Sequence, residues 1–303
     1  MTQKALFESK NGIFQLWILL LFVLTGTIIA SVLTLVFSSF SADPELITRS
    51  PALLRIIQFI SATCMFLLPA IALAWLCSKN PQAYLSVREM PSSKTVILLF
   101  FSILAFAPVI TLTTLLNEQM SLPAFMEPIE NWMREQEAAM EEFVNFLLDE
   151  KGISALLGNL IVIALTAAIT EEFFFRGALQ RIVGKWTQNH HVIIWTVAFT
   201  FSAIHLQFYG FIPRVLLGAY FGYLLYWSKN IWIPVLAHFI HNAIAVIAES
   251  NEKLKDNEFI SGEIQDAHLM GYSVVAVVAL IFFILIVKKL REEVSLGTYQ
   301  EPD

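Results

Sequence analysis

Eight apolar runs, at 13–39, 52–78, 95–117, 153–182, 191–206, 211–228, 231–249 and 270–288, decide what this chain can fold into. About 20 apolar residues cross a bilayer as a helix, and lipid offers no partner to a backbone N–H or C=O. Such runs therefore form helices that close their hydrogen bonds internally. Runs 191–206 and 211–228 are short for a crossing, and run 153–182 is long and turns polar beyond Glu171. Only 15% of the residues are charged, against about 25% in soluble domains, and the mean hydropathy is +0.67. The expectation is an all-α polytopic membrane protein, a bundle of eight transmembrane helices.

Loop charges set the expected orientation. With the N-terminus inside, the inner segments hold Lys4, Lys10, Lys79, Arg88, Lys94, Arg181, Lys185, Lys229, Lys288, Lys289 and Arg291. The outer segments hold Arg49, Arg55, Arg134, Lys151, Arg214, Lys253 and Lys255. That is eleven against seven with Arg176 set aside, so the positive-inside rule places both termini in the cytoplasm. No basic patch points to nucleic acid. The first apolar run is too long for a cleavable signal peptide. Cys64 and Cys77, thirteen residues apart in one run, would stand about 20 Å from each other on a helix, too far for a disulfide.

The chain divides into N-terminal spans 1–117, an extramembrane connection 118–152, a core 153–249 and a closing segment 250–303 with the last span and tail. The connection has helical spacing, with Trp132, Ala139, Phe143, Phe146 and Leu147 on one broad face and acids opposite. It fits a docked or interfacial helix, or a lid that guides substrate.

Three polar constellations break the apolar runs of the core. In "AITEEFFFRG", Glu172 and Arg176 are four apart and pair on one helix face, while Glu171 points about 100° away. Ionisable residues in lipid are costly and usually functional. The spacing therefore makes Glu172–Arg176 a neutralised structural pair and leaves Glu171 free to face a cavity. The alternative is a helix-end cluster that snorkels to the headgroups. The second constellation is "FTFSAIHLQF", with Phe201 and His205 four apart. In the third, "WIPVLAHFIHNA", His238 and Asn242 share a face, His241 lies about 60° from His238, and Pro234 suits the first helical turn. Glu171 and His205 lie equally far in sequence from Gln188, hence at similar depth. His238 is only nine residues past Lys229 and joins them only if its turn lies deeper.

Taken together, E-E-x-x-x-R, F-x-x-x-H and H-x-x-x-N, in that order, resemble the CPBP family of intramembrane endopeptidases (CAAX protease and bacteriocin-processing, or Abi). "RGALQ" and "HLQFYGFIPRVLLG" also look like bacterial members, and the resemblance covers about 150–245. It implies an eight-helix fold with a polar cavity inside the membrane region, peptide-bond hydrolysis, and Glu171, His205, His238 and Asn242 as catalytic residues. A bacterial inner-membrane protein acting on a peptide or membrane-protein substrate within the lipid bilayer is then expected. Glu171 would be the general base, His205 would hold the same water, and His238 with Asn242 would supply oxyanion donors. Glu172 and Arg176 would support the helix. A zinc version would use Glu171, His205 and His238 as ligands with an open fourth position; the soluble signature H-E-x-x-H is absent. A non-catalytic immunity or scaffold protein and an ion-coupled transporter remain the alternatives of a different class.

Overall fold

A computed structural model describes residues 5–39, 50–262 and 264–298. Lys4 and Arg49 of the charge count, and the ends of the first and last segments, lie outside these. The described residues form no strand. The long helices are α1 (Gly12–Ser39), α2 (Pro51–Cys77), α3 (Ser93–Glu118), α4 (Glu127–Leu148), α5 (Ile153–Val183), α6 (His190–Ala203), α7 (Phe211–Ser228), α8 (Trp232–Glu249) and α9 (Leu269–Thr298). Their starts follow local chemistry. Ser50 caps α2 through the Leu53 amide, with Pro51 in the first turn. Ser92 caps α3 through Thr95, and Asn189 caps α6 through His191 and Val192.

Six of these helices, α1, α2, α3, α5, α8 and α9, are long and apolar enough to cross a membrane. The two doubtful runs are explained by their surroundings. Helix α7 buries Gly218, Tyr220, Gly222 and Ser228 among other residues; packed within protein, it does not need lipid-like side chains. Helix α6 has 14 residues, a rise of about 21 Å, so the backbone leaves the helix at 204–210 before a full crossing. Non-helical backbone at such depth needs protein partners. Asn117, at the end of α3, donates to the Phe208 carbonyl (2.9 Å) and accepts from the Ile212 amide (2.8 Å), and Ser202 Oγ donates to Phe211 O (2.8 Å).

Two core clusters meet along α7 and α8. One joins α1, α2, α5 and α6 around Phe175, Ile182 and Leu73; the other joins α3, α7, α8 and α9 around Leu99, Phe221 and Leu290. Cys64 and Cys77 are free and buried. The amphipathic connection forms α4, but its apolar face is not docked along its whole length. Leu147 is buried and Phe143 and Phe146 are half-buried, whereas Trp132 and Ala139 are exposed. Its C-terminal end is the part tied into the bundle by buried polar contacts. Buried Arg55 donates to Asn159 Oδ1 (2.8 Å), Glu150 Oε2 (2.6 Å) and Leu147 O (3.1 Å), tying α2, the end of α4 and the start of α5 together. Toward the other end Trp132 meets the ring of Phe208 at 5.6 Å, and Arg134 lies 4.8 Å over the ring of Tyr209.

Candidate active site

Helix α5 is not a uniform α-helix. It widens into π turns at Leu160–Thr166 and Phe173–Leu179, and the α-helical stretch between them ends on Glu171 and Glu172. Such bulges occur often at functional sites, because they re-aim side chains within an otherwise regular helix.

Glu172 and Arg176 pair as their spacing predicts, Oε1 to Nη1 at 2.8 Å, and both side chains are fully buried. A buried carboxylate without its cation would be severely costly, so the two stand or fall together. The guanidinium also donates to the Gly218 carbonyl of α7 at 2.9 Å and lies 4.8 Å above the ring of Phe201. The sequence does not announce that Glu172 Oε1 also lies 2.9 Å from His238 Nδ1. A carboxylate acceptor places a proton on Nδ1 and turns Nε2 the other way. There Nε2 stands 4.0 Å from Glu171 Oε2, beyond a direct hydrogen bond and suited to one bridging water. Phe221 stacks on the imidazole at 5.1 Å and fixes its plane. Thus Glu172 orients His238 besides supporting its own helix, while neighbouring Glu171 stays partly open, with 17% of its side chain exposed.

His205 sits just past the end of α6, and its Nδ1 donates to the Phe201 carbonyl at 2.7 Å, which leaves Nε2 unprotonated. Glu171, His238 and Arg214 act on it electrostatically. Phe201 has ring contacts to both imidazoles, at 4.9 Å to His205 and 6.2 Å to His238. His205 and His238 therefore approach Phe201 from two sides, and Glu171 lies within electrostatic reach of both imidazoles. The turn before α8 is tied to the 85–89 loop: Ile231 N–H donates to Ser86 O (2.8 Å) and Asn230 Nδ2 to Glu89 O (2.7 Å).

Asn242 has a different contact from the one its spacing suggests. One of its amide N–H groups donates to Ile163 O in the first π turn, at 3.1 Å; this pins α8 to α5 and leaves the other N–H. His241 stands within electrostatic reach of His238. A polar cavity of about 600 Å³ lies beneath α4, lined by Glu118, Arg134, Glu137, Glu141, Gln207 and Tyr209 among others. Its lining reaches Gln207, two residues from His205, and does not include Glu171.

Both imidazoles hold their Nδ1 hydrogen bond, to Glu172 and to the Phe201 carbonyl, which is also how a histidine that offers Nε2 to an ion is oriented. Among the described residues, no group of three His, Cys, Asp or Glu is gathered closely enough to hold an ion as it stands. Zinc on Glu171, His205 and His238 stays the alternative to a metal-free centre.

Sequence reasoning missed Asn117, Gly218 and Phe221. Two signals were available: a lone Asn ending an apolar run, and the small-xxx-small pair Gly218 and Gly222, which marks close helix packing. A Cβ on Gly222 would come within 2.8 Å of Ile194, and one on Gly218 within 3.3 Å of Ala198 and Phe201.

The fold and the site define a polytopic helical membrane protein with an acid–imidazole centre inside the bundle. Residues 153–244 match the family model described as type II CAAX prenyl endopeptidase Rce1-like, which bears out the resemblance read from the three motifs. Among curated proteins, the chain is 29% identical over 117 residues to the Bacillus subtilis (strain 168) "Uncharacterized protein YpbD". That match covers 35% of this chain and 57% of the relative, so the chain spans little more than half of that relative's length. No solved structure matches.

Proposed function

We propose that this protein is an intramembrane endopeptidase in which Glu171 activates a water for attack on a peptide carbonyl. The observation that carries the proposal is the 4.0 Å gap between Glu171 Oε2 and His238 Nε2, with His238 held from behind by Glu172. A water bridging that gap gives its proton to Glu171 as its oxygen attacks. His205 Nε2 holds the same water and shares the proton traffic. His238 and Asn242 supply donors to the developing oxyanion, Asn242 through the N–H that the Ile163 carbonyl leaves. Glu171, having taken the proton, returns it to the leaving amine. A peptide or membrane-protein segment reaches the centre from the bilayer region. The residues 204–210, which follow the end of α6, form the flank nearest the cavity under α4. The excess of Lys and Arg in the inner loops supports an orientation with both termini in the cytoplasm, and the resemblance to bacterial family members supports a bacterial inner membrane.

The test compares membranes carrying wild-type protein and Glu171→Gln, with new peptide ends read by mass spectrometry. Cleavage falls at least about a hundredfold in the variant, with insertion unchanged. Equal turnover would end the proposal. The same assay after chelation and zinc add-back separates the water-activation mechanism, which is indifferent to both, from a metal-dependent one. Proteoliposome ion flux without cleavage would mark a transporter.

A further inference from the structure

A second cavity, of about 330 Å³, opens on the face that carries the 184–189 and 229–230 turns. Its lining includes Arg176, Gln180, Arg181, His190, Tyr226 and Lys229, and no Asp or Glu. Arg176 forms part of the wall; it is 1% exposed, and its Nε has no acceptor among the described residues. The remaining cations are held by aromatic rings and carbonyls instead of carboxylates. Arg181 lies 4.6 Å over the ring of Tyr84 and donates to the Ala83 and Tyr84 carbonyls. Lys229 Nζ is 4.3 Å over Tyr226, whose ring also stacks on His190 at 4.2 Å. The groups acting electrostatically on His190 are His191, Lys229 and Arg291, all of them basic.

This arrangement costs energy as it stands. Partial burial without a neighbouring acid holds the Lys229 ammonium below the usual lysine range, and Lys229 also adopts a left-handed backbone, with φ of 52°. An anion in the cavity would offset the desolvation of several cations at once. Basic pockets between transmembrane helices on the cytoplasmic side suit phosphate headgroups, and the charge count assigns this face to the cytoplasm.

We propose that the cavity lined by Arg176, Arg181, His190 and Lys229 binds a phosphate anion, presented by an anionic lipid headgroup or free in solution. Through Arg176 the anion lies one side chain away from Glu172, and hence two from His238. The site is distinct from the water-activating centre, and its test reads binding instead of cleavage.

Full-length protein is released from nanodiscs of mixed phosphatidylglycerol and phosphatidylcholine, and retained lipid is counted by native mass spectrometry. Phosphatidylglycerol is expected to be retained preferentially. Lys229→Asn, which tolerates the left-handed backbone, and Arg181→Gln should each lower that retention by about fivefold. Lys289→Gln removes a cation in α9 outside this cavity's lining and should leave retention unchanged. Unaltered melting temperatures of the variants show that the fold is intact. Displacement of the lipid by millimolar inorganic phosphate supports the site and makes free phosphate its occupant. Retention that withstands phosphate supports the lipid as the source. Equal retention of both lipids with no phosphate adduct on the protein in millimolar inorganic phosphate, or equal loss in Lys229→Asn and Lys289→Gln, overturns the proposal.

Discussion

Helices α5 and α9 are both long enough to cross a bilayer, yet the structure uses them in opposite ways. In the most apolar 18-residue stretch of each, 39% of α5 is buried within the protein and only 11% of α9. Helix α5 carries Glu171, Glu172 and Arg176; α9 shows Val274, Val277, Phe282 and Leu285 to its surroundings. The contrast follows from solvent. A side chain facing lipid gains nothing from polarity, whereas one inside the bundle can be ionic if its partners come with it. The outer helices keep lipid away, and the inner ones carry the buried ionic groups.

The comparison breaks most sharply at Arg176. Arg176→Met leaves Glu172 as a buried carboxylate that has lost its guanidinium and keeps only the His238 imidazole, and should cost about 3–5 kcal/mol, read as a lower melting temperature in detergent; adding Glu172→Gln should restore much of it. A single variant as stable as wild type would show that the pair does not hold the bundle centre. Next in size is the split between adjacent glutamates. Glu171→Gln should lose at least about a hundredfold in cleavage while its stability stays within about 0.5 kcal/mol. A large loss of stability there would mean that Glu171 is structural like its neighbour. Gly222→Val forces a side chain into the α6 contact and should destabilise by about 1–3 kcal/mol, measurable by the same melting experiment. The smallest effect belongs to the outer face. Val274→Ala or Phe282→Ala should change stability by no more than about 0.5 kcal/mol, and a larger shift would place α9 against a further protein surface.

Much of this contrast is legible in the residues. Apolar run length locates the helices, and the four-residue step from Glu172 to Arg176 forecasts their pair. The motif order forecasts the family match over 153–244. The interior of α5 was not legible, because a π turn has no composition of its own; Leu160–Thr166 is as apolar as any α-helical stretch. Neither was the second partner of Glu172, nor the carbonyl of Ile163 that takes one N–H of Asn242. Both join residues far apart in the chain.

The sequence by itself determined which segments are helical and which charges pair within one helix, since these depend on neighbours one turn away. Only the tertiary structure decided that His238 reaches Glu172 and faces Glu171. That meeting depends on how α8 docks, and the turn that leads into it is held by hydrogen bonds to the carbonyls of Ser86 and Glu89 some 140 residues earlier (141 for Asn230 and Glu89). Local geometry carries no information about such a contact, because it is a property of how helices dock and not of how each one winds.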